Sequence, residues 1–366
     1  YKMGELKLMK GNEVLAEAAI RCGCDGYFGY PITPQSEVME TLMLREPWAE
    51  TGMKVLQAES EVAAINMLYG AAATGKKAMT SSSSPGVSLM LEGISYLAGA
   101  ELPCLIVNVQ RGGPGLGTIQ PSQADYAQAV KGGGHGDYKM IVLAPSSVQE
   151  MNDFVDLGFE LAFKYRNPAL ILTDGAIGQM MEKVELSDYK ERWTDEEVIE
   201  KWGKWATTGK PASRERNVVT SLELDSDKME SNNLRFQEKY RKMEAEEQRY
   251  EAFQCDDAEY VLVAFGTSAR VCQKSVEIAR EKGLKVGLLR PISLFPFPKK
   301  VIGELAKNVK GFLSVEMNAG QMVEDVKLAV HEAACTRRVE HFGRMGGIIP
   351  TPGEVVEALE QKFLNE

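Results

Sequence analysis

Cysteine and histidine are sparse and badly placed for metal or redox chemistry. The six cysteines (Cys22, Cys24, Cys104, Cys255, Cys272 and Cys335) are scattered, and only Cys22-Gly23-Cys24 forms a close pair. That spacing supports neither a disulfide framework nor a zinc site, and the clustered C-x-x-C runs that hold iron–sulfur centres are missing. Any redox role would therefore send its electrons out through another chain. With His135, His331 and His341 as the whole histidine complement, a multi-histidine metal centre is excluded. Positive charge is also short: the formal net charge is −10, which argues against nucleic acid or an anionic membrane as partner. An acidic electron carrier would have to dock elsewhere. No apolar run approaches the roughly 20 residues that cross a bilayer, and Tyr1-Lys2-Met3-Gly4-Glu5 does not read as a signal region, so a cytoplasmic protein is expected.

What is present is ordinary globular material, 44% hydrophobic and 26% charged over 366 residues, enough for two or three domains. From residue 11 to 175, helix-like stretches near 11–22, 35–44, 60–74, 86–99 and 147–163 alternate with strand-like runs. Those runs fall near 26–30, 53–57, 77–82, 104–109, 140–143 and 168–173, and are rich in Val, Ile and Leu. The rhythm predicts a doubly wound, parallel α/β sheet over residues 1–182. Residues 183–254 break it with dense charge and a helix-like end from Glu230 to Glu251, on which Leu234, Met243 and Tyr250 fall near one side. Trp193, Trp202 and Trp205 also lie there, and disordered segments are poor in aromatics, so an ordered, packed excursion is expected rather than a loose linker. From residue 255 to 366 the α/β rhythm returns in three strand–helix units, forming a second, smaller domain.

Several motifs are decoys. Gly70-Ala71-Ala72-Ala73-Thr74-Gly75-Lys76-Lys77 approaches a P-loop, but Lys77 replaces the Ser or Thr that binds magnesium. Its glycines also close a helix instead of opening one, so it reads as a helix C-cap. The glycines from Gly112 to Gly117 lack dinucleotide spacing and enclose Pro114. Thr173-Asp174-Gly175 suggests a magnesium-diphosphate start, yet the asparagine such a site needs downstream is missing between Asn167 and Asn217, so Asp174 reads as a strand-end residue. Ser81-Ser82-Ser83-Ser84-Pro85-Gly86, between strand and helix, reads equally as an N-cap or as an anion contact. No nucleophile elbow accompanies it.

Three further segments each follow a strand-like run: Gly29-Tyr30-Pro31-Ile32-Thr33-Pro34, Ala58-Glu59-Ser60-Glu61, and Gln110-Arg111-Gly112-Gly113. A hydroxyl, an acid and an arginine on successive strand-end loops predict one site at the carboxyl edge of the sheet. Glu61 is either a carboxylate offsetting its helix dipole, a task Glu59 could perform, or a working acid. Arg111 is either a salt-bridge partner or a fork for a carboxylate ligand.

These segments, with Gly134-His135-Gly136-Asp137 and Leu143-Ala144-Pro145, resemble the α-type, pyrimidine-binding subunit of the 2-oxoacid:ferredoxin oxidoreductases. The run Lys131 to Tyr138 looks most like the branched-chain (3-methyl-2-oxobutanoate, or 2-ketoisovalerate) members. The resemblance implies a thiamine diphosphate pyrimidine-binding domain followed by a transketolase C-terminal-like domain. It implies oxidative decarboxylation of a 2-oxoacid to acyl-CoA and CO2, with ferredoxin as external acceptor. It places Mg2+ and the diphosphate half on a β-type partner. A γ-type subunit and a ferredoxin-like cluster subunit would supply [4Fe-4S] clusters and complete the coenzyme A site. By the same resemblance Glu61 bonds the cofactor's pyrimidine ring, Pro31, Ile32 and Thr33 join it in cofactor binding, and Thr33 and Arg111 stand beside the reacting carbons and the substrate carboxylate. A 2-oxoglutarate, pyruvate or indolepyruvate enzyme, or a noncatalytic assembly subunit, stays open as an alternative.

Overall fold

The computed structural model describes residues 5–364. Its larger sheet has seven strands in the order Ser293–Phe295, Ile141–Leu143, Pro168–Asp174, Cys104–Gln110, Ala78–Ser82, Gly26–Gly29, Lys54–Gln57. Six of these run parallel. Cys104–Gln110 and Pro168–Asp174 are buried along their whole length, as central parallel strands covered by helices on both faces must be. The second sheet has the order Arg338–Gly343, Gly311–Glu316, Tyr260–Val263, Val286–Pro291, Tyr250–Phe253, with only the last strand antiparallel. A two-stranded ribbon pairs Glu5–Lys10 with Met181–Leu186. Among the described residues no helix is long and apolar enough to cross a membrane.

Three features depart from the sequence reading. Ser293–Phe295 follows the second domain's strand Val286–Pro291 but crosses to the first sheet, pairing antiparallel with Ile141–Leu143. Its flanking prolines, Pro291 and Pro296, disguised so short a strand. The charged helix runs Ser226–Glu246 rather than to Glu251, and Tyr250 begins an edge strand with nearly half its surface exposed. The buried stripe of that helix is Phe236, Tyr240 and Met243, spaced by four and three residues, whereas Leu234 faces outward.

The tryptophan-bearing excursion is packed. Phe163, on helix Val148–Tyr165, sits 5.0 Å from the Trp193 ring and 5.2 Å from Trp202, and Trp205 follows at 6.2 Å from Trp202. Lys77 and Arg166 cap the cluster with cation–π contacts of 5.0 and 4.7 Å to Trp193 and Trp205. Gly75, at φ +78°, ends the turn after helix Glu61–Ala72. A Cβ there would lie 2.9 Å from that of Ala206 and 3.0 Å from Val198, so the P-loop-like glycine serves chain reversal and close approach of the excursion. We expect Phe163→Ala to cost about 3–5 kcal/mol in urea unfolding, because it empties the centre of an aromatic cluster. A loss below about 1 kcal/mol, in the range of a surface substitution, would show that the cluster anchors nothing.

The two halves are joined tightly. Arg290, 5% exposed, makes paired bonds of 2.7 and 2.9 Å to Glu150 across the boundary. Buried Gln123 donates to Phe265 O and accepts from Ser268 Oγ and from the Met317 N–H. These contacts bring the loops after Glu316 and Gly343 against the carboxyl edge of the first sheet.

Candidate functional site at the carboxyl edge of the larger sheet

From strand Gly26–Gly29 the chain passes outward to Lys54–Gln57, then returns to Ala78–Ser82 on the other side of its starting strand. The order reverses between Gly26–Gly29 and Ala78–Ser82, and such a switch opens a crevice at the strand ends. The loops carrying Thr33, Glu61 and Ser82–Ser84 surround it, with Arg111 on the next strand.

The first loop is held from below. Gln35 Nε2 donates to Tyr30 O at 3.0 Å, and Gln35 Oε1 accepts from Ser81 Oγ, itself 2.7 Å from Tyr27 OH. Asn12 Nδ2 donates to Pro34 O at 2.6 Å. Pro31 and Thr33 remain exposed on the rim, and Ile32 is half-buried.

Glu61 opens its helix but does not cap it. Ser60 is the cap, accepting from the Ala63 N–H at 3.2 Å, and Glu59 is an exposed carboxylate bonded to Ser60 Oγ. Glu61 is 6% exposed, and no hydrogen bond or ion pair reaches its carboxylate among the described residues. It lies against Ser82 and Gly86: a Cβ on Gly86 would come within 2.7 Å of Glu61 Oε1 and 2.2 Å of Ser82 Oγ. Ser82 Oγ and Ser83 Oγ are likewise buried without partners. Ser83 is the helix N-cap yet its side chain makes no cap bond, so the plain-cap reading of the serine run fails at the residue that should carry it.

Arg111 is 9% exposed. Its Nη1 donates to Thr33 O at 2.9 Å and Nη2 to Leu116 O at 3.1 Å, while Nε is buried without a partner. No carboxylate pairs with it among the described residues. The structure thus ties Thr33 and Arg111 directly, and the serine run lies between them and Glu61: Ser82 and Glu61 both pack against Gly86, and Ser84 Oγ accepts the Arg111 backbone N–H at 3.0 Å. Unpaired buried charges are costly, so an acid and a cation on neighbouring strand-end loops, neither with a charged partner among the described residues, mark a place suited to a ligand.

Beside Arg111 a cavity of about 620 Å³ lies between the domains, walled by Pro85, Pro114, Asp125, Met317 and Met345 among others. Asp125, which the sequence reading passed over, accepts from Ser84 Oγ and Asn108 Nδ2; burial pushes its carboxyl up against the downward pull of those two bonds. Its only signal in the sequence was a polar run, Ser122-Gln123-Ala124-Asp125, close behind the glycine-rich loop. Two flagged segments are absent from this cavity. Asp174 caps helix Gly175–Gln179 through the Ala176 and Ile177 N–H groups and accepts from Thr267 Oγ1 at 2.8 Å. The run Lys131–Tyr138 is mostly exposed, with His135 edge-on to Tyr96.

The chain is similar to known proteins in sequence and in fold. Residues 17–255 match the family described as pyruvate flavodoxin/ferredoxin oxidoreductase, thiamine diphosphate-binding, and residues 258–355 match pyruvate:ferredoxin oxidoreductase core domain II. The chain is 51% identical over 356 residues to the ketoisovalerate oxidoreductase subunit VorB of Methanothermobacter thermautotrophicus, covering 97% of both. It is 36% identical to the 2-oxoglutarate synthase subunit KorA of Archaeoglobus fulgidus, over 97% of this chain and 99% of that one. The solved 2-oxoglutarate:ferredoxin oxidoreductase from Magnetococcus marinus, with 2-oxoglutarate, coenzyme A and succinyl-CoA bound, superposes with a TM-score of 0.84 at 25% identity, over 98% of this chain and 65% of that one. A split-gene transketolase shares the fold at a TM-score of 0.60 and 13% identity, over 96% of this chain and 97% of that one. The chain belongs to the thiamine-dependent 2-oxoacid:ferredoxin oxidoreductases, as an oxidoreductase subunit with a thiamine diphosphate-binding domain.

Proposed function

We propose that this chain is the pyrimidine-side subunit of a cytoplasmic complex that oxidatively decarboxylates a branched-chain 2-oxoacid to acyl-CoA and CO2 and reduces ferredoxin. The observation that carries this reading is the pair of uncompensated buried charges, Glu61 and Arg111, at one switch point. We divide the chain into a pyrimidine-binding domain (1–182), the tryptophan-bearing excursion (183–254) and a transketolase C-terminal-like domain (255–366).

The residues fit a thiamine pyrimidine. Glu61 is a buried carboxylate with no partner among the described residues, the absence of a side chain at Gly86 lets helix Ser84–Gly99 approach it closely, and Pro31, Ile32 and Thr33 lie on the neighbouring strand-end loop. Thiamine diphosphate, when bound, supplies a nucleophilic carbon and an electron sink. The chain's own work is narrower. A carboxylate that the protein leaves without a partner is free to hydrogen-bond a ring nitrogen facing it, which is the role we give Glu61. Arg111 keeps Nε and the unused N–H groups of its fork for the substrate carboxylate, and its bond to Thr33 O fixes the Thr33 loop next to that carboxylate.

The diphosphate and Mg2+ do not fit this chain, because Asp174 is consumed by its helix cap and by Thr267. We assign them to a β-type partner, and the [4Fe-4S] clusters and the rest of the coenzyme A site to γ-type and cluster-bearing subunits. Exposed Pro31 and Thr33, together with Val62 at 46% and Leu116 at 82% exposure on the same rim, suit a surface that a partner covers. A noncatalytic assembly role is disfavoured, since two unpaired buried charges would be a standing cost with no return. The purified single chain is therefore expected to show no tight, magnesium-dependent uptake of thiamine diphosphate by calorimetry, while the assembled complex binds it. Tight binding by the single chain would overturn the split site.

A further inference from the structure

The position of Arg111 is set by groups that never touch its guanidinium. Its backbone N–H donates to Ser84 Oγ at 3.0 Å, and Ser84 Oγ lies 2.6 Å from Asp125 Oδ2. Ser84 Oγ is also 3.2 Å from Arg111 O. A hydroxyl has one proton, and the shorter contact to the carboxylate takes it, leaving the lone pairs for the Arg111 N–H. Asp125 Oδ2 accepts a second bond, of 2.9 Å, from Asn108 Nδ2, on the strand that leads into Arg111. Gln110 Oε1 accepts the Asp125 backbone N–H at 3.1 Å, and Gln110 Nε2 reaches Thr173 O on the neighbouring strand. One half-buried carboxylate thus binds the start of helix Ser84–Gly99 to the end of strand Cys104–Gln110.

The second domain holds the segment on either side of Asp125. Tyr126 OH donates to Asp325 Oδ2 at 2.5 Å, the Ala127 N–H donates to Gln321 Oε1 at 2.7 Å, and Gln321 Nε2 donates to Ala124 O. The arginine loop is also braced directly, since Gly347 at φ +97° lies against Thr118 and Gln120, where a Cβ would come within 3.0 and 2.4 Å.

We propose that Asp125 is a positioning residue for the substrate carboxylate: through Ser84 it fixes where Arg111 presents its fork, and through Tyr126 and Ala127 it ties that position to the second domain. This inference rests on the reading of Arg111 as the carboxylate fork. An ionised acceptor forms shorter and stronger bonds than an amide, and both bonds end on Asp125 Oδ2, so an asparagine whose carbonyl oxygen takes that place accepts both but holds them less tightly. The Arg111 backbone would then be held less firmly, leaving the fork anchored mainly by its bonds to Thr33 O and Leu116 O, which weakens ground-state capture of the 2-oxoacid more than the chemistry that follows.

The test uses the assembled complex carrying Asp125→Asn, Ser84→Ala or Arg111→Ala. Steady-state reduction of viologen is measured with 3-methyl-2-oxobutanoate and coenzyme A, and the unfolding temperature of each complex is recorded. Asp125→Asn and Ser84→Ala are each expected to raise KM for the 2-oxoacid about tenfold while kcat falls less than about threefold and KM for coenzyme A is unchanged. A merely structural role predicts instead a lower unfolding temperature with KM values intact, and that result overturns the proposal. If Asp125→Asn does not assemble, Ser84→Ala decides by the same KM shift. Arg111→Ala separates the two claims. If it raises KM while Asp125→Asn and Ser84→Ala do not, the positioning role fails and the fork stands; if it leaves KM unchanged, the fork fails and the positioning role falls with it.

Discussion

Glu61→Gln in the assembled complex is expected to lower turnover about 100-fold or more, the usual scale for losing a positioned acid–base group, without lowering the unfolding temperature. The two halves of that expectation come from one observation. Glu61 is 6% exposed and has no counter-charge among the described residues, so converting it to a neutral, near-isosteric amide removes a buried charge that the chain by itself does not compensate. The helix loses nothing essential, because Ser60 already accepts the Ala63 N–H and Glu59 supplies negative charge to the first turn from outside. If Glu61 were there for the dipole, the opposite pattern would hold: a stability loss of about 0.3–1 kcal/mol with activity kept. Turnover with saturating 2-oxoacid and thiamine diphosphate, read beside a melting curve of the cofactor-free complex, separates the two. Near-normal turnover would return Glu61 to the role of a helix-end carboxylate.

Much of this site was legible because it stands on local pattern. Strands rich in Val, Ile and Leu followed by short loops announced the parallel sheet, and the loops bearing Thr33, Glu61 and Arg111 had to emerge on one edge once the strands were parallel. What stayed hidden depends on partners distant in sequence. Ser293–Phe295 is a strand only because Ile141–Leu143 lies beside it, and Glu5–Lys10 only because Met181–Leu186 does. The end of the helix Ser226–Glu246 was overrun because Tyr250 continued a plausible helical face, whereas pairing with Val286–Pro291 drew it into an edge strand. Asp125 was missed for the same reason: an aspartate in a loop carries no chemistry until Ser84 and Asn108, both far off in the chain, are brought to it. Conversely, the run Lys131–Tyr138, which carried the branched-chain resemblance, is mostly exposed and does not line the cavity beside Arg111.

Substrate choice has to come from that cavity instead, and it gives the second large expected effect. On the proposed reading of Arg111 the substrate side chain would enter this cavity, whose walls include Pro85, Pro114, Ala319, Met317 and Met345 beside polar Ser122, Asn318 and Gln321, and none of the lining residues other than Arg111 is a cation. The one ionisable partner of the opposite sign is Asp125, whose carboxylate would repel a second acid on the substrate. A 2-oxoglutarate bound here would bury its distal carboxylate without a partner, at a cost of several kcal/mol, which is about 1,000-fold in kcat/KM against 3-methyl-2-oxobutanoate. Pyruvate has no such penalty and only leaves apolar space unfilled, so with two carbons fewer, at about 1–3 kcal/mol each, it should trail by a graded factor of about 30 or more. The complex, assayed by viologen reduction with coenzyme A and each of the three acids, should rank them in that order. Introducing a cation by Met345→Lys, on a residue already 61% exposed, should then narrow the gap to 2-oxoglutarate without disturbing the fold. A wild-type preference for 2-oxoglutarate would overturn the branched-chain assignment. It would leave the roles proposed for Glu61 and Arg111 untouched, because the first faces the cofactor and the second the carboxylate that all 2-oxoacids share.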